Sequence, residues 1–305
     1  MPARRVLPFE RIAELHPAIS IEAEVLARSG PPPGLPGDIG SIASDGSLRP
    51  STTYPCGYEA RMGPYAPGSL VNGVTRSFAV MNAWSNGISV NRSCGLHVHV
   101  DMSRVTADRR AITISRWLLY EPLFMACVPY GRSMNNYCTP LGGLCENFRA
   151  NNWSSPLILS DRTRSELETE EFGRYLALNP ASFGRHTTYE VRLASGTSMA
   201  RRALEWAYLV SRALNRFAEQ PTFDDAVAKQ LYTHSQTNLD LMSQSFKEVL
   251  GDSDAYAIAR TLVSRNNRRE RYLRYPMLSS NSNSYTGQFC FRRQPIVIPR
   301  GFNLV

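Results

Sequence analysis

The sequence has few lysines, no obvious cysteine pairs and no long apolar run. Its six cysteines include no Cys-x-x-Cys pair, and a chain of 305 residues does not need a disulfide frame, so they predict free thiols in a reducing compartment. Charges interrupt the first eighteen residues, which argues against a secretory leader there. The best apolar run, 117–128, contains Glu121 and Pro122 and is too short to cross a bilayer. We expect a cytoplasmic protein with no membrane partner.

The shortage of lysine makes arginine the main source of positive charge. Lys229 and Lys247 are the only lysines among 34 basic residues, and 26 acidic residues leave a net charge of +8. Arginine stays ionised and binds carboxylate or phosphate through two parallel hydrogen bonds, which suits an anionic substrate. A biased genome composition produces the same excess of arginine. The charge therefore bears on partners and leaves the fold open.

Hydrophobic residues make up 43% of the chain, which suffices for one large core or for a core with a helical appendage. We predict a catalytic domain over 1–220, followed by a helical extension and a surface-wrapping tail over 221–305. The segment 130–161 is rich in Asn, Gly, Pro and Cys and predicts a long loop, either a lid over a site or an ordinary surface loop. No GxxxxGK[ST] motif is present, which excludes a P-loop.

The periodicity of apolar residues predicts the secondary structure. Strands are predicted over 19–27, 41–48, 57–62, 93–102 and 186–194, and helices over 69–84, 106–127, 164–178, 198–219, 224–250 and 252–275. Pairing between separated strands then favours an α+β fold in which an antiparallel sheet has helices packed on one face.

Four of these strands carry charged residues on one face and apolar residues on the other, because successive side chains point to opposite sides. The charged or ionisable residues are Glu22 and Glu24; Glu59 and Arg61; His97, His99 and Asp101; and Glu190 and Arg192. A solvated face is the usual explanation for any one antiparallel strand. Glu and Asp are poor strand formers, so four such strands together weaken that explanation.

If these faces line one hollow, the carboxylates repel one another unless cations lie between them. Arginine and a divalent metal are the available cations. Carboxylate oxygens at this density suit Mg²⁺ or Mn²⁺, and both tolerate an imidazole. Zinc is disfavoured because no cysteine joins the set and no HExxH helix is present.

Several of these segments resemble the motifs of a known superfamily. The strand Gly95-Leu96-His97-Val98-His99 resembles the G-[LM]-H-x-H strand of the glutamine synthetase/glutamate–cysteine ligase-like fold. Glu22-Ala23-Glu24 resembles its E-x-E pair, and Glu190-Val191-Arg192 its E-x-R strand. Within that superfamily the amidoligase family has a D-G-S turn, which Asp45-Gly46-Ser47 matches. The segment Glu59 to Pro64 is one residue longer than the family's E-x-x-[ST]-P motif. The resemblance covers roughly 19–219.

The resemblance implies a curved half-barrel sheet, ATP with Mg²⁺ (or Mn²⁺), and an ATP-dependent ligase that joins a carboxylate to an amine through an acyl phosphate. Small-molecule or peptide carboxylates and amines are the implied substrates. The metal ligands it implies are Glu22, His97 and Glu190 near the terminal phosphates, with Glu24 and Glu59 at a second metal. It also implies that His99 contacts a phosphate and that Arg192 stabilises charge on the transferred phosphoryl group. Asp45 and Asp101 would support the cluster or position the amine. Arg132 would contact the substrate carboxylate or a phosphate.

Two other functions stay open. The same fold could transfer a phosphoryl group to a guanidino or amine nitrogen without forming an amide. A degenerate scaffold could instead serve a structural or nucleic-acid-binding role, through the arginines and tyrosines of 265–275. At helical spacing such a stretch is more often a solvated face. Cys94 beside the histidine strand is disfavoured as a nucleophile because strand geometry buries it on the apolar face.

Overall fold

A computed structural model of the chain describes residues 18–28, 30, 35, 40–84, 87–129, 132, 137–141, 164–165, 167–169, 175–219, 246–247, 249–251 and 253–269. Six strands form one sheet in the order β2-β3-β1-β4-β6-β5. The strands are β1 Ile19–Ala27, β2 Gly40–Ser44, β3 Cys56–Tyr65, β4 Gly95–Asp101, β5 Leu178–Asn179 and β6 Thr188–Ser195. The helices are α1 Pro67–Trp84, α2 Ala107–Ala126, α3 Ser182–His186, α4 Ala200–Glu219 and α5 Ser253–Arg269. The predicted α+β class is confirmed.

Strand β1 is central to the described pairing. It pairs antiparallel with β3 on one side and with β4 on the other, and β3 pairs antiparallel with β2. Ile21, Ala23 and Val25 on β1 are fully buried, while Glu22 keeps some exposure. The alternation predicted for β1 is thus confirmed, and the apolar face of the sheet forms the core.

The chain divides into two compact units, Met1–Asp101 with Val191–Arg212, and Met102–Glu190 with Ala213–Val305. The first unit contains β1 to β4, α1 and the end of β6. Within it, the backbone N–H of Gly196 donates to Cys94 O at 2.8 Å. Cys94 is fully buried in a cluster with Leu26 and Leu48, as the strand pattern predicted.

The second unit is built around α2. Trp117 stacks on Phe124 with ring centroids 4.6 Å apart, and Tyr120 stacks on Phe217 at 5.9 Å. The buried Glu121 carboxylate accepts hydrogen bonds from Trp117 Nε1 at 3.0 Å and from the backbone N–H of Leu141 at 2.9 Å. Apolar stacking and a satisfied buried carboxylate together hold α2 in place.

A second buried carboxylate in this unit, Glu168, ties α2 to β6. Arg110 Nε donates to Glu168 Oε1 at 2.7 Å, Tyr189 Oη donates to the same oxygen at 2.7 Å, and Arg164 donates to Oε2. The Arg110 guanidinium also lies 3.9 Å from the centre of the Phe183 ring. Burial, the Glu168 charge and this hydrogen bond raise the pKa of Tyr189 well above its usual value, so its hydroxyl stays protonated and donates.

Two predicted elements are wrong in their extent. The helix predicted over 164–178 does not continue to its end, because Leu176 forms a bridge with Thr139 and Leu178 belongs to β5. The predicted strand 41–48 ends at Ser44, since the next residue, Asp45, begins a turn in which its Oδ1 accepts the Ser47 backbone N–H at 2.8 Å. Both errors come from tertiary or side-chain hydrogen bonds that local periodicity does not report.

Several predictions fall outside the described residues. They concern most of the loop 130–161, the helix start over 224–245, the tail beyond 269 and the domain boundary at 220/221. Helix α5 lies within the predicted helix 252–275, but the side chains of the arginine stretch from 265 onward are not among those described. Cys56, Cys94, Cys127 and Cys138 are free thiols. Among the described helices, none is both long and apolar enough to span a bilayer.

Candidate metal centre

The register between β1 and β4 brings a glutamate between two histidines. Glu22 lies directly opposite His97, and Ser20 lies opposite His99. Glu22 Oε2 is 3.3 Å from His97 Nδ1, and Glu22 Oε1 is 3.6 Å from His99 Nε2. Each carboxylate oxygen of Glu22 therefore faces a different imidazole.

Glu24 holds the other side of His97. Its Oε1 lies 3.6 Å from His97 Nε2, and its Oε2 accepts a hydrogen bond from the backbone N–H of Gly95 at the start of β4. The His97 ring thus lies between the carboxylates of Glu22 and Glu24, and its side chain is only 1% exposed. This part of the polar face is buried, so the solvated-face explanation fails for His97.

Strand β3 adds a third carboxylate and an arginine. Glu59 lies opposite Glu24, and Arg61 lies opposite Glu22. Arg61 Nε is 2.6 Å from Glu59 Oε1 and 3.7 Å from Glu22 Oε1. Like charges directly opposite one another destabilise a sheet, and Arg61 offsets part of that repulsion. The Arg61 side chain is 62% exposed, so water screens much of its charge.

Asp45 joins this cluster from the turn that follows β2. Its backbone N–H donates to Gly57 O at 3.0 Å, which brings the turn against β3. A Cβ added at Gly57 would lie 2.9 Å from Leu48 Cβ and 3.0 Å from Asp45 O. Glycine at position 57 therefore permits the close approach of the Asp45-Gly46-Ser47 turn.

These side chains form two sets in which one ligand atom from each residue lies within 4.8 Å of the others. The first set is Glu22, Glu59 and His97, and the second is Glu24, Asp45 and Glu59. Carboxylate oxygens with at most one imidazole form the donor set that Mg²⁺ and Mn²⁺ accept. The residues present fit such an ion.

The cluster shifts the pKa values of two carboxyl groups in opposite directions. Burial opposes ionisation of Glu22, but hydrogen bonds and electrostatic attraction from His97 and His99 outweigh it and hold its pKa well below the usual range. Burial and the Glu22 charge raise the pKa of Glu59, and Arg61 reverses only part of that rise. Glu22 is therefore ionised at neutral pH, while Glu59 holds its proton more tightly than an exposed glutamate does.

The remaining predicted site residues are spread over both units. Asp101 ends β4 and is partly buried, and Arg192 is partly buried in β6 of the first unit. Arg132 is buried in the second unit, where its backbone carbonyl accepts a hydrogen bond from the Cys138 thiol at 3.0 Å. Glu190 is buried in the second unit. The roles assigned to these four residues by the resemblance stay predictions.

Sequence reasoning assigned no role to two residues that contact the candidate ligands. Arg61 has the same two-residue spacing after Glu59 that Arg192 has after Glu190, so the E-x-R pattern could have identified it. Asn179 donates from Nδ2 to Glu190 Oε2 at 2.8 Å. A single asparagine before Pro180 carries no comparable sequence signal.

No known family model matches the chain, and no curated protein sequence matches it. Among solved structures, the chain is similar to a bifunctional glutathione synthetase from Pasteurella multocida, with 11% sequence identity and a TM-score of 0.45. The similarity covers 86% of this chain and 51% of that one, so the chain spans about half the length of that structure. A likeness at this level establishes neither a shared fold nor a shared activity.

Proposed function

We propose that the chain is an ATP-dependent carboxylate–amine ligase on a glutamine synthetase-like half-barrel with helices packed on one face. The observation that carries this proposal is the convergence of Glu22, Glu59 and His97 on adjacent strands, with ligand atoms within 4.8 Å of one another. The motif resemblance supplies the reaction class.

Glu22, His97 and Glu59 would hold Mg²⁺ or Mn²⁺, and Glu24 with Asp45 and Glu59 would hold a second ion. Bound there, such ions neutralise the charge of nucleotide phosphates. Glu22 suits a ligand role because its depressed pKa keeps it anionic without the ion. The resemblance adds Glu190 as a further ligand, and we retain it as part of the proposal.

In the proposed reaction the chain's own residues position the reactants and cancel charge. In the first step a carboxylate oxygen of the substrate attacks the γ-phosphorus of ATP, the bond to the β-phosphate oxygen breaks, and ADP leaves. Phosphoryl transfer depends mainly on positioning and on charge cancellation. We assign to Arg192 the stabilisation of negative charge on the transferred phosphoryl group. We assign a phosphate contact to His99, and a contact with the substrate carboxylate or a phosphate to Arg132.

In the second step the amine nitrogen attacks the acyl carbon, the C–N bond forms, and phosphate leaves with the C–O bond electrons. The amine must lose a proton to a base, and we assign the role of that base to the carboxylate of Asp45 or Asp101. Exclusion of water protects the acyl phosphate from hydrolysis.

The proposal is tested by ADP release with Mg²⁺ across a matrix of carboxylate and amine pools, for wild type and Glu22→Gln. Glu205→Gln is the matched control, because Glu205 is a buried glutamate of the same unit that pairs with Arg201 at 2.9 Å. We expect ADP release only when both pools are present, at least about 100-fold slower in Glu22→Gln and unchanged in Glu205→Gln, as for loss of charge stabilisation.

Two results would contradict the proposal. ADP release that needs an amine or guanidine but no carboxylate would assign the chain to phosphoryl transfer onto nitrogen instead. Salt-sensitive binding of DNA or RNA without any nucleotide turnover would assign it to the degenerate, nucleic-acid-binding class.

A further inference from the structure

Asn179 is buried beside Glu190, and both residues belong to the second unit. Asn179 Nδ2 donates to Glu190 Oε2 at 2.8 Å, and this contact fixes which way the amide is turned. The NH₂ group faces Glu190. Oδ1 points elsewhere, and it is buried with no donor within hydrogen-bond distance in the part of the chain that the structure describes.

The backbone before Asn179 is anchored and the residue is 3% exposed, so the amide has little access to water. Leu176 bridges Thr139, and the backbone N–H of Ala177 donates to Thr139 O at 2.8 Å. Proline follows at position 180, which restricts the backbone of Asn179 further. A buried acceptor without a donor destabilises the fold, and its position beside a candidate ligand suits a bound group that supplies the donor.

We propose that Asn179 is a positioning residue for a divalent cation bound by Glu190, an inference that rests on the proposed function. Its Nδ2 holds the Glu190 carboxylate in one orientation, and its Oδ1 accepts a hydrogen bond from a water bound to the cation. Mg²⁺ gives up its waters reluctantly, and those waters need acceptors around the site. Outer-shell partners of this kind orient the ligands and change metal affinity by roughly 10- to 100-fold.

The test is a titration of the full chain with Mn²⁺ alone, comparing wild type, Asn179→Ala and the closer-shaped Asn179→Leu. Ser182→Ala is the matched control, because it removes the 2.9 Å hydrogen bond between Ser182 Oγ and Thr188 Oγ1 in the same unit without altering Glu190 or Asn179. Free Mn²⁺ is measured by electron paramagnetic resonance, and water-proton relaxation is measured per bound ion. Metal-free melting curves identify any variant that fails to fold.

We expect both Asn179 variants to bind Mn²⁺ about 10- to 100-fold more weakly, with altered water relaxation per bound ion, and Ser182→Ala to match wild type within about twofold. Wild-type affinity in Asn179→Leu would overturn the inference, as would weaker binding with unchanged relaxation, since a merely structural residue gives that result. Unweakened binding by Glu190→Gln would also overturn it, while leaving the cluster around Glu22 intact. Absence of Mn²⁺ binding by wild type itself would overturn the proposed function as well.

Discussion

Glu24 on β1 and Glu59 on β3 lie directly opposite each other in an antiparallel pair. Two carboxylates in that position repel each other and cost the sheet stability. Arg61 contacts Glu59 but is largely exposed, so it screens the pair only in part. We therefore expect the pair to weaken the metal-free fold and to favour a bound cation.

Replacing Glu59 by Gln removes one of these charges, and we expect it to stabilise the metal-free protein at pH 7. Burial and the Glu22 charge raise the Glu59 pKa above its ordinary 4.5, so the folded state favours the protonated form. The stability that Glu59 contributes is thus complete below pH 4.5 and is lost as pH rises through the raised pKa. The gain in Glu59→Gln is expected to be about 1 kcal/mol, or roughly 2 °C in melting temperature, at pH 7 in EDTA and to vanish near pH 4.

The same melting curves are then measured with Mg²⁺ in place of EDTA. We expect millimolar Mg²⁺ to raise the melting temperature of wild type by several degrees and that of Glu59→Gln by much less, because bound ion stabilises only the state that binds it. A Glu59→Gln protein that is less stable than wild type in EDTA at pH 7 would show that burial of Glu59 and the charge of Glu22 do not control its effect on stability.

Arg61 would compete with a cation bound at the proposed site, because both neutralise the same carboxylates. Replacing Arg61 by Gln is expected to lower metal-free stability slightly and to tighten Mn²⁺ binding by roughly twofold to fivefold, the size of an exposed charge interaction. Arg28→Gln is the control, since Arg28 belongs to the same unit and contacts Tyr54 instead. Weaker Mn²⁺ binding in Arg61→Gln would mean that Arg61 orients Glu59 more than it repels the ion.

The close approach at Gly57 predicts an unequal response of two neighbouring glycines. A Cβ at position 57 meets Leu48 and Asp45 within 3.0 Å, whereas a Cβ at Gly46 has nothing within 4 Å. We expect Gly57→Ala to destabilise the protein by about 1–3 kcal/mol through overpacking. Gly46→Ala is expected to be neutral, as chemical denaturation would measure. Equal effects of the two substitutions would contradict the described position of the turn.

The hydrogen bond of Tyr189 to Glu168 anchors β6, and a substitution at Tyr189 measures its contribution to stability. Replacing Tyr189 by Phe removes the 2.7 Å hydrogen bond to the buried Glu168 carboxylate, and we expect a loss of about 1.5–3 kcal/mol in the free energy of unfolding. Tyr54→Phe is the control, because Tyr54 makes a 3.3 Å contact with Arg28 at an exposed position and should change stability by under about 0.5 kcal/mol. A neutral Tyr189→Phe would show that Arg110 and Arg164 alone satisfy Glu168.

Local pattern predicted most of the elements that carry the site. Alternation in β1, β3, β4 and β6 identified which residues share a face, because side-chain direction repeats every two residues. The opposition of Glu24 and Glu59 is a matter of register, which long-range pairing sets and which no single strand encodes. The hydrogen bond from the Gly95 backbone N–H to Glu24 likewise depends on long-range strand pairing.

The two-residue strand β5 shows the other limit. Leu178 and Asn179 are too few to display a period, and the preceding residues favoured a helix until Thr139 provided backbone partners for Leu176 and Ala177. The role proposed for Asn179 follows from that tertiary pairing. Burial of His97 was likewise unpredictable, since an antiparallel strand with a polar face is usually solvated.

The most direct test of the account is an equilibrium Mn²⁺ titration, without nucleotide, of wild type, Glu22→Gln, His97→Ala and the control Glu205→Gln. We predict at least one bound ion per chain in wild type and in the control, and affinity about 10-fold or more weaker in both site variants, as for loss of a ligand or its partner. Four identical binding curves, or no binding by wild type at millimolar Mn²⁺, would contradict the proposal that Glu22, His97 and Glu59 form a metal centre.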